Sequence, residues 1–467
     1  MAKVKKKDAL SLEEKLEQAL VPIDEHPYEV PENWCWTKIK YGFDVTSSKR
    51  IHKSDWLSEG VPFYRTRELV KLSNDGYVDN ELFIAEELYD SLTRDFGKPE
   101  KDDILISGVG TIGVPYIVDG MRDFYFKDGN VIWFKNKKIF MAKYIYYLYK
   151  SLFMKNQIYG KSAGTTVDTY TIVNANETIL PLPPLAEQQR IVEQIESLFA
   201  KLDEAKEKAE SVLDSFDKRK AALYNMAFTG RLTEQWRKIN DIDKDKWIST
   251  TIGDVSEVIT KGASPRWQGI EYTDDKTQTL FVTSENVREG YLDLSKEKYL
   301  DNKINEIQKR SVLHGGDVLV NIVGASIGRA AIYNLEKLAN TNQAVCIVRL
   351  KDKEINDYVC FYLNSPTAQQ YYYDNKVETA RANISLANIS SMPIMLPPED
   401  ERKEIMSKLK YLLEKEDASK EMVNNLIDNL ELMKKSILAK AFRGELGTNN
   451  PDEESAVELL KSILATE

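Results

Sequence analysis

The chain repeats itself at a fixed interval, and that repeat constrains its folding more than any other feature. LAEQQRIVEQIESLF follows Pro184 and EDERKEIMSKLKYLL follows Pro398, while AFTGRL (Ala227 to Leu232) and AFRGEL (Ala441 to Leu446) lie the same distance apart. Upstream, DILISGVGTIG opens at Asp103 and DVLVNIVGASIG at Asp317, again at that interval; Trp34 and Trp247 begin the two copies, a single position short of it. A constant period of this kind makes each copy one structural unit. The order predicted is an N-terminal helical segment (1–32), a first globular domain (33–182), a long helix (183–232), a linker (233–246), a second globular domain (247–396), a second long helix (397–446) and a C-terminal helical segment (447–467).

The long helices carry heptad seams. In the first, Ile191, Ile195, Leu198, Leu202, Ala205, Ala209, Val212, Phe216, Arg219, Leu223 and Met226 recur in alternating steps of four and three. In the second, Ile405, Leu409, Leu412, Val423, Leu426, Leu430, Met433 and Ile437 do so, with Glu416 and Ser419 as polar interruptions. Such a stripe is by default only a core face. Two of equal length in a tandem repeat predict antiparallel packing with internal pseudo-two-fold symmetry. Roughly 40 residues at ~1.5 Å each span ~60 Å, so the predicted device is a ruler with a reading head at each end. Gly230 and Gly444 suit helix C-termini.

The globular domains read as α+β. Short β-like runs (FYRTREL, DILISGVG, YIVDG and VIWFK; LFVTSENV, DVLVNIVG, AAIYN and AVCIVRL) are separated by turn residues. Short helices are expected at MAKYIYYLYKSLF and DYVCFYLNSPTAQQYYY. The fold class expected is α+β: two globular domains separated by two long antiparallel coiled-coil helices.

Composition narrows the function. Cys35, Cys346 and Cys360 are too scattered for a disulfide framework, and none of the three histidines stands at zinc-ligand spacing, so no metal is expected. No apolar run reaches membrane-spanning length, and MAKVKKK leads into a polar helix rather than a signal peptide; the cytoplasm is the expected location. Net charge is −10, which taken alone argues against nucleic acid. Yet residues 33–180 hold 20 Lys/Arg against 19 Asp/Glu, and residues 247–396 hold 16 against 18, so each globular stretch is near neutral and can carry a basic face.

Catalytic motifs fail on inspection. Gly108, Gly110 and Gly113 form G-x-G-x-x-G, but Pro115 follows at once and no helix opens there; a tight turn between strands explains the glycines better. Gly160-Lys161-Ser162 lacks the earlier glycine of a phosphate loop, since position 155 is Lys155. There is no adenine-methyltransferase N/D-P-P-Y/F motif, and PDEES at 451–455 lacks a nuclease lysine. No catalytic residue is assigned.

Several segments mix Arg/Lys with Asn, Ser, Thr and aromatics, which neutralise phosphates and read base edges. In the first domain these are SSKRIHK, YRTR and YGKSAGTTVDTY, giving Lys49, Arg50, Lys53, Arg65, Arg67, Lys161, Thr165, Thr166 and Tyr170 as candidate DNA contacts. In the second they are TKGASPRW, TSENVR and TARANIS, with Arg329 and NTNQAV, giving Lys261, Ser264, Arg266, Trp267, Ser284, Asn286, Arg288, Arg329, Asn342, Gln343, Arg381 and Asn383. Any one segment is an ordinary solvated loop by default; their recurrence in both copies favours the DNA reading.

LPLPPLAEQQRIVEQIESLFAKLDEA and its copy MLPPEDERKEIMSKL resemble the central conserved region of Type I restriction–modification specificity subunits, as do FTGRL and FRGEL. TKGASPRW, LFVTSENV, GDVLVNIVGASIGRAAIY, NTNQAV and NISLANISSMPIMLPP are similar to the family's second target-recognition domain; the first copy matches more loosely, with Gly129-Asn130-Val131 in place of Asn-Gln. The resemblance implies a non-catalytic subunit for phage defence. Each domain would read half of a bipartite, asymmetric double-stranded DNA site, and the helices would set the spacer and dock two methylation subunits. Adenine methylation with S-adenosylmethionine, and cleavage with ATP and Mg by restriction subunits, would belong to those partners, with no cofactor in this chain. The alternatives are a coiled-coil scaffold with two protein-binding heads, a specificity module of another phage-defence methyltransferase complex, and a self-contained enzyme.

Overall fold

A computed structural model describes residues 10–162, 168–377 and 382–466. The chain divides into two compact units: Met1–Lys208 with Leu426–Glu467, and Ala209–Asn425. Each contains one α+β lobe and a part of both long helices, Leu185–Phe228 and Glu399–Ala441.

The two lobes share the topology of their closing pair and larger sheet, while the smaller sheet has three strands in the first and four in the second. In the first, the opening strand Cys35–Lys38 pairs antiparallel with the closing strand Ile179–Leu182; in the second, Ile248–Thr251 pairs likewise with Pro393–Leu396. The lobe is thus tied at its base, and two prolines lead directly into a long helix, as suits a residue that fixes φ and lacks an N–H to satisfy. A four-stranded antiparallel sheet runs in the order Phe43–Thr46, Val131–Asn136, Ile104–Ser107, Pro115–Ile117. Its counterpart is Ser256–Lys261, Val345–Leu350, Asp317–Asn321, Ala330–Tyr333. A smaller sheet beside it contains one parallel pair in each lobe, Val61–Tyr64 with Tyr125–Phe126 and Thr279–Val282 with Ala339–Thr341.

The repeat's landmarks have structural reasons. Ile104–Ser107 and Asp317–Asn321 are buried at every position, so their middles, 104–106 and 318–320, read as apolar runs. The aspartate just before or at the start of each strand is buried and fully engaged. Asp103 accepts from Trp133 Nε1 at 2.8 Å and from the backbone of Glu100 and Asn136. Asp317 accepts both Arg349 Nε and Nη2 at 2.8 Å and the His314 N–H. The glycine-rich run after Ile104–Ser107 is a hairpin turn into Pro115–Ile117, with Ile106 opposite Pro115, and not the start of a helix.

One β-like run is only half strand. Val61–Tyr64 is extended, but Thr66–Asp75 is helical. Glu68 at the third helical position accepts the Arg65 N–H at 3.0 Å, and that side-chain-to-backbone bond starts a helix.

Both helix-to-lobe joints close on a buried glutamate, at equivalent positions of the repeat. In the second unit Glu401 accepts from Thr233 Oγ1 (2.7 Å), Trp247 Nε1 (2.8 Å) and Arg237 Nη1. In the first, Glu187 accepts from Thr448 Oγ1 (2.6 Å) and Arg190 Nη2 (2.8 Å), while Arg190 also forks onto Glu453. Gly230 (φ +75°) and Gly444 (φ +73°) end the helices in left-handed conformation; a Cβ would lie 3.0 Å from the Trp247 ring at the one and 2.4 Å from Pro31 at the other. The first unit also contains the terminal helices Leu12–Ala19 and Ala456–Leu464, joined by Lys15 Nζ to the Leu464 carbonyl at 3.1 Å.

Within each unit the two long helices run antiparallel. In the first, stepping from Asp203 to Lys206 on one helix steps from Lys434 back to Glu431 on the other. In the second, Asp217 and Arg219 face Lys420 and Glu416. Arg219 and Glu416, charged members of the predicted seam, bond to one another at 2.9 Å. Ile191, Ile195, Leu202, Phe216, Ile405, Leu409 and Leu430 are buried, and Leu198, Leu223, Leu412, Val423 and Ile437 are half-buried. Val212, Leu426 and Met433 are instead exposed, as is Met226. The neighbours Leu213, Ala227, Leu413 and Ile427 turn inward. At 212/213, 226/227 and 426/427 the sequence carries apolar residues at both adjacent positions, so spacing alone admits either phase there.

Candidate nucleic-acid interface

Each lobe has a groove between its glycine-rich hairpin and a short helix. In the second lobe the hairpin residues Val323–Ile327 face the helix Pro366–Asn375 across about 920 Å³. Gln369, Tyr373 and Lys376 line one side, and Ser284, Asn342 and Gln343 line another. In the first lobe Thr111–Pro115 face the helix Leu152–Ser162 across about 370 Å³, with Asn74, Lys150, Lys155 and Tyr159 on the wall. Neither groove has an Asp or Glu among its described lining residues, although the chain is acidic.

The loops around the second groove are stitched together by backbone. Gly262, within TKGASPRW, donates its N–H to the Asn342 carbonyl at 3.2 Å, and a Cβ there would sit 1.7 Å from the Thr341 carbonyl oxygen. Only glycine permits that approach. Asn340 is buried and bonded to Ser311, Asn305 and Gln308, holding the NTNQAV turn. Asn342 Oδ1 accepts the Ala344 N–H, and Gln343 is exposed.

Of the predicted contacts, the structure brings Ser284, Asn342 and Gln343 into one groove. Lys49, Arg50, Lys53, Lys261, Arg266 and Trp267 are exposed, Trp267 at 81%. Lys49 lies 4.5 Å over the Phe96 ring, and Arg50 stands 3.4 Å from Asp128. Ser264, Arg329 and Asn383 are half-buried, and half-buried Arg288 faces Asp293 at 3.4 Å. Thr165, Thr166 and Arg381 lie outside the described residues, as does the side chain of Lys161.

Two predicted contacts, Tyr170 and Asn286, are corrected to interior positions, and two more, half-buried Arg65 and exposed Arg67, are engaged by carboxylates. Tyr170 is in the core, its hydroxyl shared with Tyr149 and Thr178, and burial pushes it up to about 12. Asn286 is buried, holding Thr283 through Oδ1 and the Asp293 and Lys296 carbonyls through Nδ2. Arg65 and Arg67 both turn onto Glu68, which is itself buried, and Arg67 also reaches Glu81. Burial alone would raise the Glu68 carboxyl; the Arg65 fork and N–H outweigh it and hold it below the ordinary range. These partners come from fold contacts and local capping that composition does not reveal. Gln369, Tyr373, Lys376, Lys150 and Lys155 were absent from the sequence-derived contacts. For Lys155, Gln369 and Tyr373 the signal was the i, i+4 spacing on two helices in the same repeat register; Lys150 and Lys376 lie outside those helices and carried no such signal.

The described residues contain no group of three or more His, Cys, Asp or Glu that could hold a metal, and no helix long and apolar enough to cross a membrane. Burial pushes the thiols of Cys35, Cys346 and Cys360 up to about 12, which keeps them protonated and unreactive.

The duplicated lobe, the long helix that follows each copy and the paired grooves define a class of two-headed proteins. The chain belongs to the Type I restriction modification DNA specificity domain family, whose profile matches residues 31–213 and 244–429. It is 28% identical over 452 residues to the Type I restriction enzyme EcoBI specificity subunit of Escherichia coli, covering 91% of this chain and 90% of that one. Against the EcoKI specificity subunit of Escherichia coli strain K12 it is 27% identical over 346 residues, covering 70% and 72%. The fold is shared with the HsdS subunit from Thermoanaerobacter tengcongensis, at TM-score 0.61 and 18% identity, covering 91% of this chain and all of that one.

Proposed function

We propose that this chain is the DNA-reading, non-catalytic subunit of a Type I restriction–modification complex, in which each lobe reads one half of a bipartite, asymmetric site. The observation that carries this reading is the pair of carboxylate-free grooves at matching places in an acidic chain. Amide, hydroxyl and ammonium groups there suit base edges and phosphates. Lys49, Arg50, Lys53, Lys261, Arg266 and Trp267 supply further exposed contacts beyond the grooves.

In this reading the long helices set the unread gap between half-sites and dock two methylation subunits. The exposed apolar side chains on them, such as Met422, Leu426, Leu432 and Met433, are the kind of surface that a protein partner covers. Those partners would carry S-adenosylmethionine and methylate adenine N6; restriction subunits would supply ATP- and Mg-dependent cleavage, in the cytoplasm, against phage DNA. Near-neutral lobes add few phosphate contacts, so tight binding requires the methylation subunits.

A gel-shift titration against a random duplex library, with and without methylation subunits, tests the proposal. The expected result is selection of a split sequence by the complex and a steep loss of affinity with salt. Binding of the partners with no affinity for DNA would instead identify a protein scaffold.

A further inference from the structure

The groove helices begin at equivalent capped serines. Ser151 Oγ accepts the Met154 N–H at 3.2 Å, and Ser365 Oγ, its counterpart in the second copy, accepts the Ala368 N–H at 3.3 Å. That cap fixes the helix phase, so Lys155 corresponds to Gln369 and Tyr159 to Tyr373. Residues four apart share a helix face, and both of these pairs line their grooves.

The tyrosine is common to the two lobes; the residue one turn before it is not. The Lys155 side chain is exposed, with no carboxylate or hydrogen-bond partner among the described residues, and an ammonium can only donate. Gln369 spends its amide nitrogen on the Gly328 carbonyl at 3.2 Å and the Leu363 carbonyl at 3.4 Å. Its Oε1 accepts nothing from the described residues, so what it offers the groove is an acceptor. Donor in one lobe and acceptor in the other is the reversal that distinguishes base edges in the major groove: guanine O6 and N7 accept, while cytosine N4 and adenine N6 donate.

We propose that this helix position determines where the two half-sites differ, Lys155 donating to guanine and Gln369 accepting from a base amino group, with Tyr159 and Tyr373 making the same sequence-independent contact in both. The inference rests on the DNA reading of the grooves.

The test is selection from a random duplex library by the complete complex with its methylation subunits, comparing the parent with Lys155→Gln. Because Lys155 is exposed, the variant should keep its melting temperature. The expected result is that guanine preference at one base pair of one half-site falls by about tenfold or more, with the other half-site unchanged. A uniform loss of affinity, with the salt slope reduced by about 1, would make Lys155 a phosphate contact and overturn the proposal while leaving the DNA reading intact. An unchanged consensus would also overturn it. A parent complex that selects no sequence would remove the DNA reading itself.

Discussion

Replacing Glu401 with alanine strands Arg237, Thr233 and Trp247 in a dry joint, since all three point their donors at that one carboxylate. Removing one partner of a buried pair costs about 3–5 kcal/mol. Glu187→Ala is expected to cost only about 1–2 kcal/mol, because Arg190 is a third exposed and keeps Glu453. Urea unfolding of the two variants checks the order; equal losses would contradict it. A second residue-scale effect concerns pH. Lys38 and Lys40 hold the Glu177 carboxyl down to about 2. A carboxyl depressed in the folded state contributes stability that is present above its ordinary value, near 4.5, and lost as pH falls toward 2. Glu177→Gln should therefore flatten the fall in unfolding free energy between pH 5 and pH 2.5 (about those limits), by only a few tenths of a kcal/mol because the pair is exposed, as urea unfolding across that range reads. Burial does the reverse to Glu187, raising it, so that group disfavours the fold as pH rises.

At the scale of elements, the helix seam makes the sharpest prediction. Phe216 and Leu430 are 4% and 6% exposed, whereas Val212 and Met433 are 43% and 51% exposed. Phe216→Ala and Leu430→Ala should each cost about 2–5 kcal/mol. Val212→Ala and Met433→Ala should stay within about 0.5 kcal/mol in the isolated chain. Thermal denaturation of the four variants distinguishes the observed seam from the phase one residue away. In the complex, Met433→Ala should weaken methylation-subunit binding if that face is covered.

For the whole molecule, the proposed function makes helix length the measure of the gap. Inserting one heptad into both long helices keeps the seam in phase. It should lengthen the unread spacer of the selected DNA while both half-site sequences stay the same. Site selection with the lengthened complex reads this directly; altered half-sites with an unaltered spacer would refute the ruler.

The duplication, the α+β lobes, the two long helices and their glycine ends are legible in the residues alone. These rest on local capping, on periodicity and on an interval that survives without knowledge of any contact. Ser284, Asn342 and Gln343 were also named from the residues, and the fold brings them into one groove. That Tyr170 and Asn286 are interior, that Arg65 and Arg67 pair with Glu68, and which of two adjacent apolar residues turns inward emerge only once the chain is folded. The reason is the same in each case. A side chain's role is set by partners distant in sequence or by the side of the helix that is covered, and both leucine phases of a heptad, like a buried and an exposed tyrosine, are spelled with the same letters.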